Sequence, residues 1–249
     1  MRNLSRRRIP NARLMLCLLS LGLGAGIVLA TRGAAVRDYA AVRSNGVTVH
    51  LVTIDLAGDR SHLCPVVASA GGQEFSEIVS VHRPRAAING GYFDPDFRPI
   101  GDVVCDGRLV ARGGQRCAVA VTRSGDLVFR RREGRARFDW DGYRTALAAG
   151  PMLVCDGRPA VNPEADGFSR ASRALRAPRS VIGQTRNNKL LLAVIEEPVT
   201  LRQTAEIAHR LGAVDAMNLD GGGSCALYAD GRTIITPAAR MSTVLLVTE

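Results

Sequence analysis

Short apolar runs rich in β-branched residues recur along most of this chain, and turn-forming pairs that contain Gly separate them. VTVHLVTIDL at residues 47–56 alternates apolar and polar positions, which is typical of a half-buried strand. Asp-Gly and Ser-Gly pairs favour tight hairpin turns, and they lie at Asp106-Gly107, Ser124-Gly125, Asp156-Gly157 and Asp230-Gly231. Further short strands are predicted at residues 86–88, 118–122, 126–130, 146–154, 180–185, 189–195, 213–220 and 242–247. The pattern restricts the fold to a sheet-rich domain.

Two segments instead have the apolar period of a helix, at residues 72–83 and 201–212. The second begins with a capping box, in which Thr200 and Gln203 each satisfy a backbone N–H of the other, and Gly212 ends it. The predicted fold is α+β: a mixed or antiparallel β-sheet with a few helices packed on one side. The chain of 249 residues is long enough for one sizeable core in a single domain.

The N-terminal region has the charge pattern of an export signal. Its first thirty residues contain five arginines and no acid, and an apolar run occupies residues 14–30. Residues 1–30 are therefore predicted to be a signal peptide or an N-terminal membrane anchor. Residues 31–46 are predicted to be a linker, and residues 47–249 form the predicted domain. We expect this domain outside the cytoplasmic membrane, periplasmic or extracellular, either free or anchored by residues 14–30.

The same region accounts for half of the formal net positive charge of the chain. Without its five arginines, the formal net charge falls from +10 to +5. A net charge of +5, in a chain with only 4% aromatic residues, argues against a nucleic-acid partner.

Cysteine and histidine usage limits the chemistry further. Five cysteines lie outside the apolar run: Cys64, Cys105, Cys117, Cys155 and Cys225. An odd number in an exported domain means that at least one thiol is free or pairs between chains. The cysteines and the four histidines show no metal-ligand spacing, so a zinc site is not expected. A divalent cation near Asp220 stays open, as does the oligomeric state.

Two glycine stretches each follow an apolar strand and an Asn or Asp. NLDGGGS at residues 218–224 has three consecutive glycines, and NGGYF at residues 89–93 has two. Glycine costs about 0.5–1 kcal/mol relative to Ala in regular structure, so a run of three indicates an unusual turn or a close approach to the backbone. Such turns can present successive N–H groups to an anion, or they can simply be tight turns at one end of a sheet.

Six sequence blocks occur in the order found in the phosphodiester glycosidase family, which this chain resembles over residues 47–248. The blocks are NGGYF (89–93), GDVVCDGRLV (101–110), AAGPMLVCDGRP (148–159), PRSVIGQT (178–185), LLLAVIEE (190–197) and AVDAMNLDGGGS (213–224). The resemblance implies an exported hydrolase that cleaves a sugar from a sugar-1-phosphodiester or a related envelope glycan, at the anomeric carbon. Two positions depart from the family pattern: Cys225 stands for a second Ser, and Glu196-Glu197 for an Asp-Gly pair.

The resemblance and the residue chemistry together indicate candidate catalytic residues. Arg179 would hold the phosphate, since a guanidinium binds phosphate oxygens through two parallel hydrogen bonds. Asp220 would act as base or nucleophile, and Glu196 would be the second carboxylate, with Asp94 and Asp102 in reserve. Each has a plainer alternative. Arginines recur every three residues over 170–179, as on a solvated face, and an acidic residue can cap a turn or end a strand.

The glycine stretches supply the candidate substrate-binding residues: Asn89, Gly90, Gly91, Tyr92, Gly221, Gly222, Gly223 and Ser224. The glycine N–H groups and the Ser224 hydroxyl would bind phosphate, Asn89 would bond to a sugar hydroxyl, and Tyr92 would stack on a sugar face. Each of these residues could equally be a turn or core residue. The expected partner is a carbohydrate or glycan phosphodiester.

Two further alternatives remain at this stage. The basic segment FRRREGRARF at residues 129–138 is predicted to be an exposed hairpin, or else a contact for an anionic polymer or lipid. The main alternative to an enzyme is a non-catalytic glycan-binding or envelope-organising module on the same fold, which the departure at Glu196-Glu197 favours. A glycosidase for ordinary glycosidic bonds would need a general acid of raised pKa, and no residue indicates that role.

Overall fold

The structure is a computed structural model that describes residues 38–55, 62–134 and 136–249. The predicted signal peptide or anchor at residues 1–30 lies outside these residues. Within them, no helix is long and apolar enough to cross a membrane.

The helices are α1 (Phe75–His82) and α2 (Leu201–Arg210). The strands are β1 (Tyr39–Ser44), β2 (Val47–Asp55), β3 (His62–Val67), β4 (Ala86–Asn89), β5 (Val103–Cys105), β6 (Arg108–Ala111), β7 (Cys117–Thr122), β8 (Leu127–Arg131), β9 (Tyr143–Ala149), β10 (Met152–Cys155), β11 (Arg158–Pro159), β12 (Ala177–Thr185), β13 (Lys189–Val199), β14 (Ala213–Asn218), β15 (Leu227–Ala229), β16 (Arg232–Ile235) and β17 (Thr243–Thr248).

The strands form three antiparallel sheets. A seven-stranded sheet has the order β1-β2-β13-β12-β14-β10-β11, and two five-stranded sheets have the orders β16-β15-β4-β17-β3 and β6-β5-β9-β7-β8. The α+β prediction is therefore confirmed only in part, because the described residues are dominated by sheets and hold two α-helices. The strand pairings between these elements are antiparallel rather than mixed.

The main hydrophobic core is shared by all three sheets. Ile182 and Leu192 of the first sheet, Ile88 of the second and Leu147 of the third belong to one cluster of buried side chains. Full burial of such a side chain stabilises the fold by about 1.5–3 kcal/mol. The two helices cover sheet surfaces outside this cluster: α2 packs on the seven-stranded sheet and α1 on the sheet that contains β4 and β17. The capping box of Thr200 and Gln203 is present at the start of α2.

Local corrections to the predicted elements have identifiable causes. The strand predicted at residues 146–154 is two strands in different sheets, with Gly150 and Pro151 between β9 and β10. Part of the predicted linker at residues 31–46 is a strand, since β1 pairs with β2 along its whole length. The connecting turn, Asn45-Gly46, has φ values of 52° and 81° and was missed as a hairpin signal. The helix predicted at 72–83 is limited to Phe75–His82, and α2 ends at Arg210.

Most of the described residues in the basic segment 129–138 are exposed, as predicted, but the segment is not a hairpin of its own, because its first residues belong to strand β8. Nε of Arg131 lies 2.7 Å from Oδ1 of Asp166, whose side chain is fully buried. Arg132 donates hydrogen bonds to the carbonyl oxygens of Gly114, Gln115 and Ala136. These two arginines are therefore structural, which removes much of the support for an anionic-polymer contact at this segment.

The Arg131–Asp166 pair gives a stability prediction. We expect Arg131→Met to lower the free energy of unfolding by about 3 kcal/mol, because it leaves a buried carboxylate without its cation. The matched control is Arg123→Met, since Arg123 and Asp141 form an ion pair at 3.8 Å in which both side chains are exposed. That control is expected to change stability by less than about 1 kcal/mol. Equal losses in urea denaturation of the two variants would contradict the structural role of Arg131.

The structure tests only part of the predictions on cysteine pairing and metal binding. Cys64, Cys105, Cys117, Cys155 and Cys225 are all free thiols. The described ranges contain no group of three or more His, Cys, Asp or Glu side chains that could hold a metal ion. A divalent cation near Asp220 stays a prediction.

Candidate functional site

The two glycine stretches meet where strands β4 and β14 end. The backbone N–H of Asp220 donates to the carbonyl oxygen of Gly90 at 3.1 Å. Nδ2 of Asn89 donates to the carbonyl oxygen of Asp220 at 2.8 Å. Hydrogen bonds therefore join the two sequence stretches that were selected separately, and they fix the backbone of Asp220 from two sides.

Asn89 joins segments of the chain and is too buried to contact a sugar. Its side chain is 1% exposed. Oδ1 accepts hydrogen bonds from the Ser180 hydroxyl at 2.7 Å and from the backbone N–H of Ala226 at 3.1 Å. The expected bond to a sugar hydroxyl is therefore replaced by a positioning role, in which Asn89 connects β12 and the residue before β15 to Asp220.

Gly90 and Gly91 permit a close approach of two backbones. Their N–H groups donate to the carbonyl oxygen and to Oγ1 of Thr243, at 2.8 and 2.9 Å. A Cβ atom on Gly90 would lie 2.2 Å from Oγ1 of Thr243. The expected phosphate-binding role of these two glycines does not fit, because both N–H groups already have acceptors.

The glycines after Asp220 are more open. Gly222 has a φ of +62°, which favours glycine, and a Cβ atom there would meet no heavy atom within 4 Å. Gly222–Ser224 form a single 3-10 turn. The first N–H groups of such a turn have no partner inside it, so those of Gly222 and Gly223 can face a ligand. Gly221 differs, because its N–H donates to Oδ1 of Asp220 at 2.9 Å.

Asp220 is a partly buried carboxylate with few bonds. Burial raises the pKa of its carboxyl group, and interactions with the Ser224 hydroxyl and the Gly221 N–H partly oppose that rise. Ser224 is 7% exposed, so its hydroxyl serves Asp220 rather than standing free for a phosphate. The ionised form of Asp220 is thus available but less stabilised than a solvated carboxylate.

Arg179 is a buried cation without a paired carboxylate. Its side chain is 6% exposed. Nε donates to the carbonyl oxygen of Val199 at 3.2 Å, and Nη2 to that of Leu175 at 2.6 Å. Among the ion pairs of the described residues, none includes Arg179. Burial lowers the pKa of its guanidinium group, which is the expected effect of desolvating an uncompensated charge.

Arg179 lies beside the turn that follows Asp220, since a Cβ atom on Gly221 would be 3.9 Å from Cδ of Arg179. The charges of Asp220 and Arg179 both act on Tyr92 and Cys225. Burial raises the pKa of Tyr92, Asp220 raises it further and Arg179 opposes the rise. Burial raises the pKa of Cys225 to about 11, with the same opposing effects of Asp220 and Arg179. The Tyr92 hydroxyl donates to the carbonyl oxygen of Gly150 at 2.7 Å and accepts from Asn218 at 2.8 Å.

Glu196 does not lie against Asp220 as a paired second carboxylate. Its Oε2 is 3.0 Å from Nε2 of His50, and its side chain is 58% exposed. Burial is the largest cause of the raised pKa of Cys225, and the charge of Glu196 makes a smaller contribution in the same direction.

Asp94 and Asp102, the two reserve candidates, both accept hydrogen bonds that stabilise the surrounding structure. Oδ1 of Asp94 accepts from the backbone N–H groups of Asp96 and Arg98, so Asp94 caps its own turn. Asp102 is 3% exposed and accepts from Nε1 of Trp140 at 2.8 Å and from the backbone N–H of Gly113 at 2.7 Å. Neither is a candidate for acid–base chemistry here.

Comparison with known proteins agrees with this arrangement of sequence blocks. Residues 82–248 match the family described as phosphodiester glycosidase. The chain belongs to this family. The mouse and human proteins named N-acetylglucosamine-1-phosphodiester alpha-N-acetylglucosaminidase are both 28% identical to it over 173 residues, which is 62% of this chain. The chain spans about a third of the length of these curated relatives, since the match covers 33% of each.

Solved structures share the fold of this phosphodiester glycosidase family member. A zebrafish N-acetylglucosamine-1-phosphodiester alpha-N-acetylglucosaminidase catalytic domain, auto-inhibited by its pro-peptide, superposes with a TM-score of 0.70 at 20% identity and covers 85% of this chain and 81% of its own. A hypothetical protein from Synechocystis superposes with a TM-score of 0.66 at 20% identity, over 84% of this chain and 61% of its own. At such identities the likeness establishes the fold alone.

Sequence reasoning missed several residues that hold this candidate site together. Ser180 is fully buried, and its hydroxyl holds Asn89. Asn218 is fully buried, and its Oδ1 has no hydrogen-bond partner in the part of the chain that the structure describes. Thr243 receives the Gly90 and Gly91 N–H groups. Ser180 and Asn218 lie within two of the family blocks, 178–185 and 213–224, but were not selected as site residues. Nothing in the sequence indicated Thr243 as a partner of the glycine turn.

The Asn89 bonds give a second stability prediction. We expect Asn89→Ala to lower the free energy of unfolding by about 2–4 kcal/mol, because it leaves buried partners in three segments without their bonds. Asn162→Ala is the matched control, since Oδ1 of Asn162 accepts one bond at 3.3 Å at an exposed position. Thermal unfolding followed by circular dichroism compares them. A loss for Asn89→Ala no greater than that of the control would contradict the joining role.

Proposed function

We propose that this chain hydrolyses a sugar-1-phosphodiester, with release of a free sugar and a phosphomonoester. Family membership supports a hydrolase of the glycosidase type. The observation that carries the finer proposal is the buried Arg179, which donates only to neutral carbonyl oxygens. A buried cation without a counter-charge is unfavourable by several kcal/mol, and a bound phosphate would supply that counter-charge.

The proposed chemistry separates the two charged residues by role. Arg179 holds the phosphate, and the N–H groups of Gly222 and Gly223 share its negative charge. Cleavage of the bond between the anomeric carbon and the phosphate oxygen leaves the electron pair on the phosphate. That leaving group is stable as an anion, so the need for a strong general acid is small. Asp220 stabilises the positive charge that develops at the anomeric carbon, or deprotonates the water that attacks it.

The proposed setting is outside the cytoplasmic membrane, on an envelope glycan. The basic and apolar pattern of residues 1–30 supports export, as a signal peptide or as an anchor. The expected partner remains a carbohydrate or glycan phosphodiester.

One observation favours a second candidate, a non-catalytic glycan-binding module. Glu196 bonds to His50 and leaves Asp220 without a paired carboxylate among the described residues. A binding module would keep the Arg179 anion site and would not need a second carboxylate.

An assay with two substrates separates these candidates. The purified protein is incubated with N-acetylglucosamine-1-phosphate methyl ester and with UDP-N-acetylglucosamine, and free sugar is measured over time. We expect release from at least one of the two. Binding of both compounds by calorimetry without any release of sugar would favour the binding module instead.

A further inference from the structure

Four arginines carry more positive charge than their surroundings compensate: two lie just before strand β12, one lies within β12 and one lies at the start of α2. We call Arg173, Arg176, Arg179 and Arg202 the arginine cluster. Arg176 donates to Oε1 of Gln203 at 3.1 Å and to the carbonyl oxygen of Pro198 at 2.8 Å, and both acceptors are neutral. Arg202 is exposed and has no polar partner among the described residues. Arg173 alone reaches a carboxylate, since its Nη2 lies 2.7 Å from Oε2 of Glu164.

A cavity lies beside two members of this cluster, Arg173 and Arg202. It has a volume of about 210 Å³ and is lined by Val161, Arg173, Leu201 and Arg202. Two of its lining residues are apolar and two are cationic. This lining suits an anionic group attached to a short carbon chain, because the guanidinium groups bind the charge and the apolar side chains contact the carbons.

The cavity is built from the same two segments that hold Arg179. Nη2 of Arg179 bonds to the carbonyl oxygen of Leu175, two residues after Arg173. Its Nε bonds to the carbonyl oxygen of Val199, two residues before Leu201. The segments around Leu175 and Val199 therefore connect the proposed phosphate position to the cavity walls.

We propose that this cavity is a second anion subsite, which binds a further phosphate of the group attached to the sugar-1-phosphate. The proposal rests on the proposed function and narrows its substrate class. The substrate would be a sugar linked to a diphosphate, or to the end of a chain of phosphodiesters, rather than to a neutral alcohol. The subsite would also assign a role in anion binding to arginines that recur over residues 170–179, in place of a solvated face.

The first test measures binding and needs no turnover. Calorimetry compares inorganic phosphate, pyrophosphate and tripolyphosphate on the full protein and on Arg202→Gln. We expect affinity to rise along this series for the wild type, and Arg202→Gln to lose about tenfold in affinity for tripolyphosphate while binding phosphate unchanged. Arg158→Gln is the control, because Arg158 is exposed on β11 and does not line the cavity. Equal losses in the two variants would mean non-specific charge attraction and would overturn the subsite.

The second test separates the subsite from the proposed function. N-acetylglucosamine-1-phosphate methyl ester has one phosphate, whereas UDP-N-acetylglucosamine has two. We expect Arg202→Gln to raise KM about tenfold for the second compound only, with kcat unchanged for both. Sugar release with a KM that is independent of Arg202 overturns the subsite and leaves the function intact. Tripolyphosphate binding that depends on Arg202, without sugar release, supports the subsite and contradicts the proposed function.

Discussion

Replacing Arg179 with Ala is expected to lower kcat/KM on a sugar-1-phosphodiester by about 10³-fold or more. Two charge-assisted hydrogen bonds to a phosphate contribute about 2 kcal/mol each, and 1.36 kcal/mol corresponds to a tenfold change in rate. Arg179→Lys should recover only part of the loss, because an ammonium group keeps the charge but cannot form the two parallel bonds. Steady-state release of sugar from each purified variant measures the effect.

Stability distinguishes this prediction from simple misfolding. Arg179→Ala removes a buried charge that no carboxylate compensates, which favours folding, but it also removes the hydrogen bonds to the carbonyl oxygens of Val199 and Leu175, which disfavours it. Because these two effects oppose each other, the free energy of unfolding should change by less than about 1.5 kcal/mol. Arg158→Ala is the matched control, since it removes an exposed arginine on β11 and should leave both activity and stability unchanged. A folded Arg179→Ala variant with wild-type kcat/KM would show that the buried guanidinium does not bind the reacting phosphate.

Replacing Asp220 with Asn is expected to reduce kcat on the order of 10³-fold, with little change in KM. The amide has nearly the same shape, and it can still accept the Gly221 N–H bond that the structure shows at 2.9 Å. It cannot supply the negative charge or the basicity that the anomeric carbon requires. Since Arg179 remains, substrate binding should persist. A tenfold rise in KM with unchanged kcat would instead make Asp220 a binding residue.

The raised pKa of Asp220 also sets a pH dependence. Because burial raises this pKa, the folded protein binds the proton more tightly than the unfolded chain does. The contribution of Asp220 to stability is therefore present below the pKa of the unfolded chain and is lost as the pH rises through the folded pKa. At pH values above the folded pKa of Asp220, the Asp220→Asn variant should be at least as stable as the wild type. The activity of the wild type should decline on the acid side at a higher pH than an ordinary Asp would give.

The sequence predicted those features of the site that depend on residues close together in the chain. Glycine runs after apolar strands predicted the two turns, and the helix at Leu201–Arg210 followed from its capping box. Family blocks selected Asp220 and Arg179, and the structure places Arg179 beside the turn that follows Asp220.

What the sequence could not predict depends on contacts between distant segments. The bond between Glu196 and His50 joins residues 146 positions apart. The bonds that occupy Asn89, Gly90 and Gly91 come from residues more than 90 positions away. Their acceptors and donors are set by strand register, which local patterns specify weakly. The Arg131–Asp166 pair shows the same limit, since a run of arginines gives no sign of a buried carboxylate elsewhere in the chain.

The most direct test of the account follows the oxygen atom of water. Hydrolysis of N-acetylglucosamine-1-phosphate methyl ester is carried out in ¹⁸O-labelled water, and both products are analysed by mass spectrometry. The account predicts the label at the anomeric carbon of the released sugar, because Asp220 acts on that carbon while Arg179 holds the departing phosphate. Label in the phosphate would mean cleavage of the phosphorus–oxygen bond, and it would contradict a glycosidase mechanism at this site.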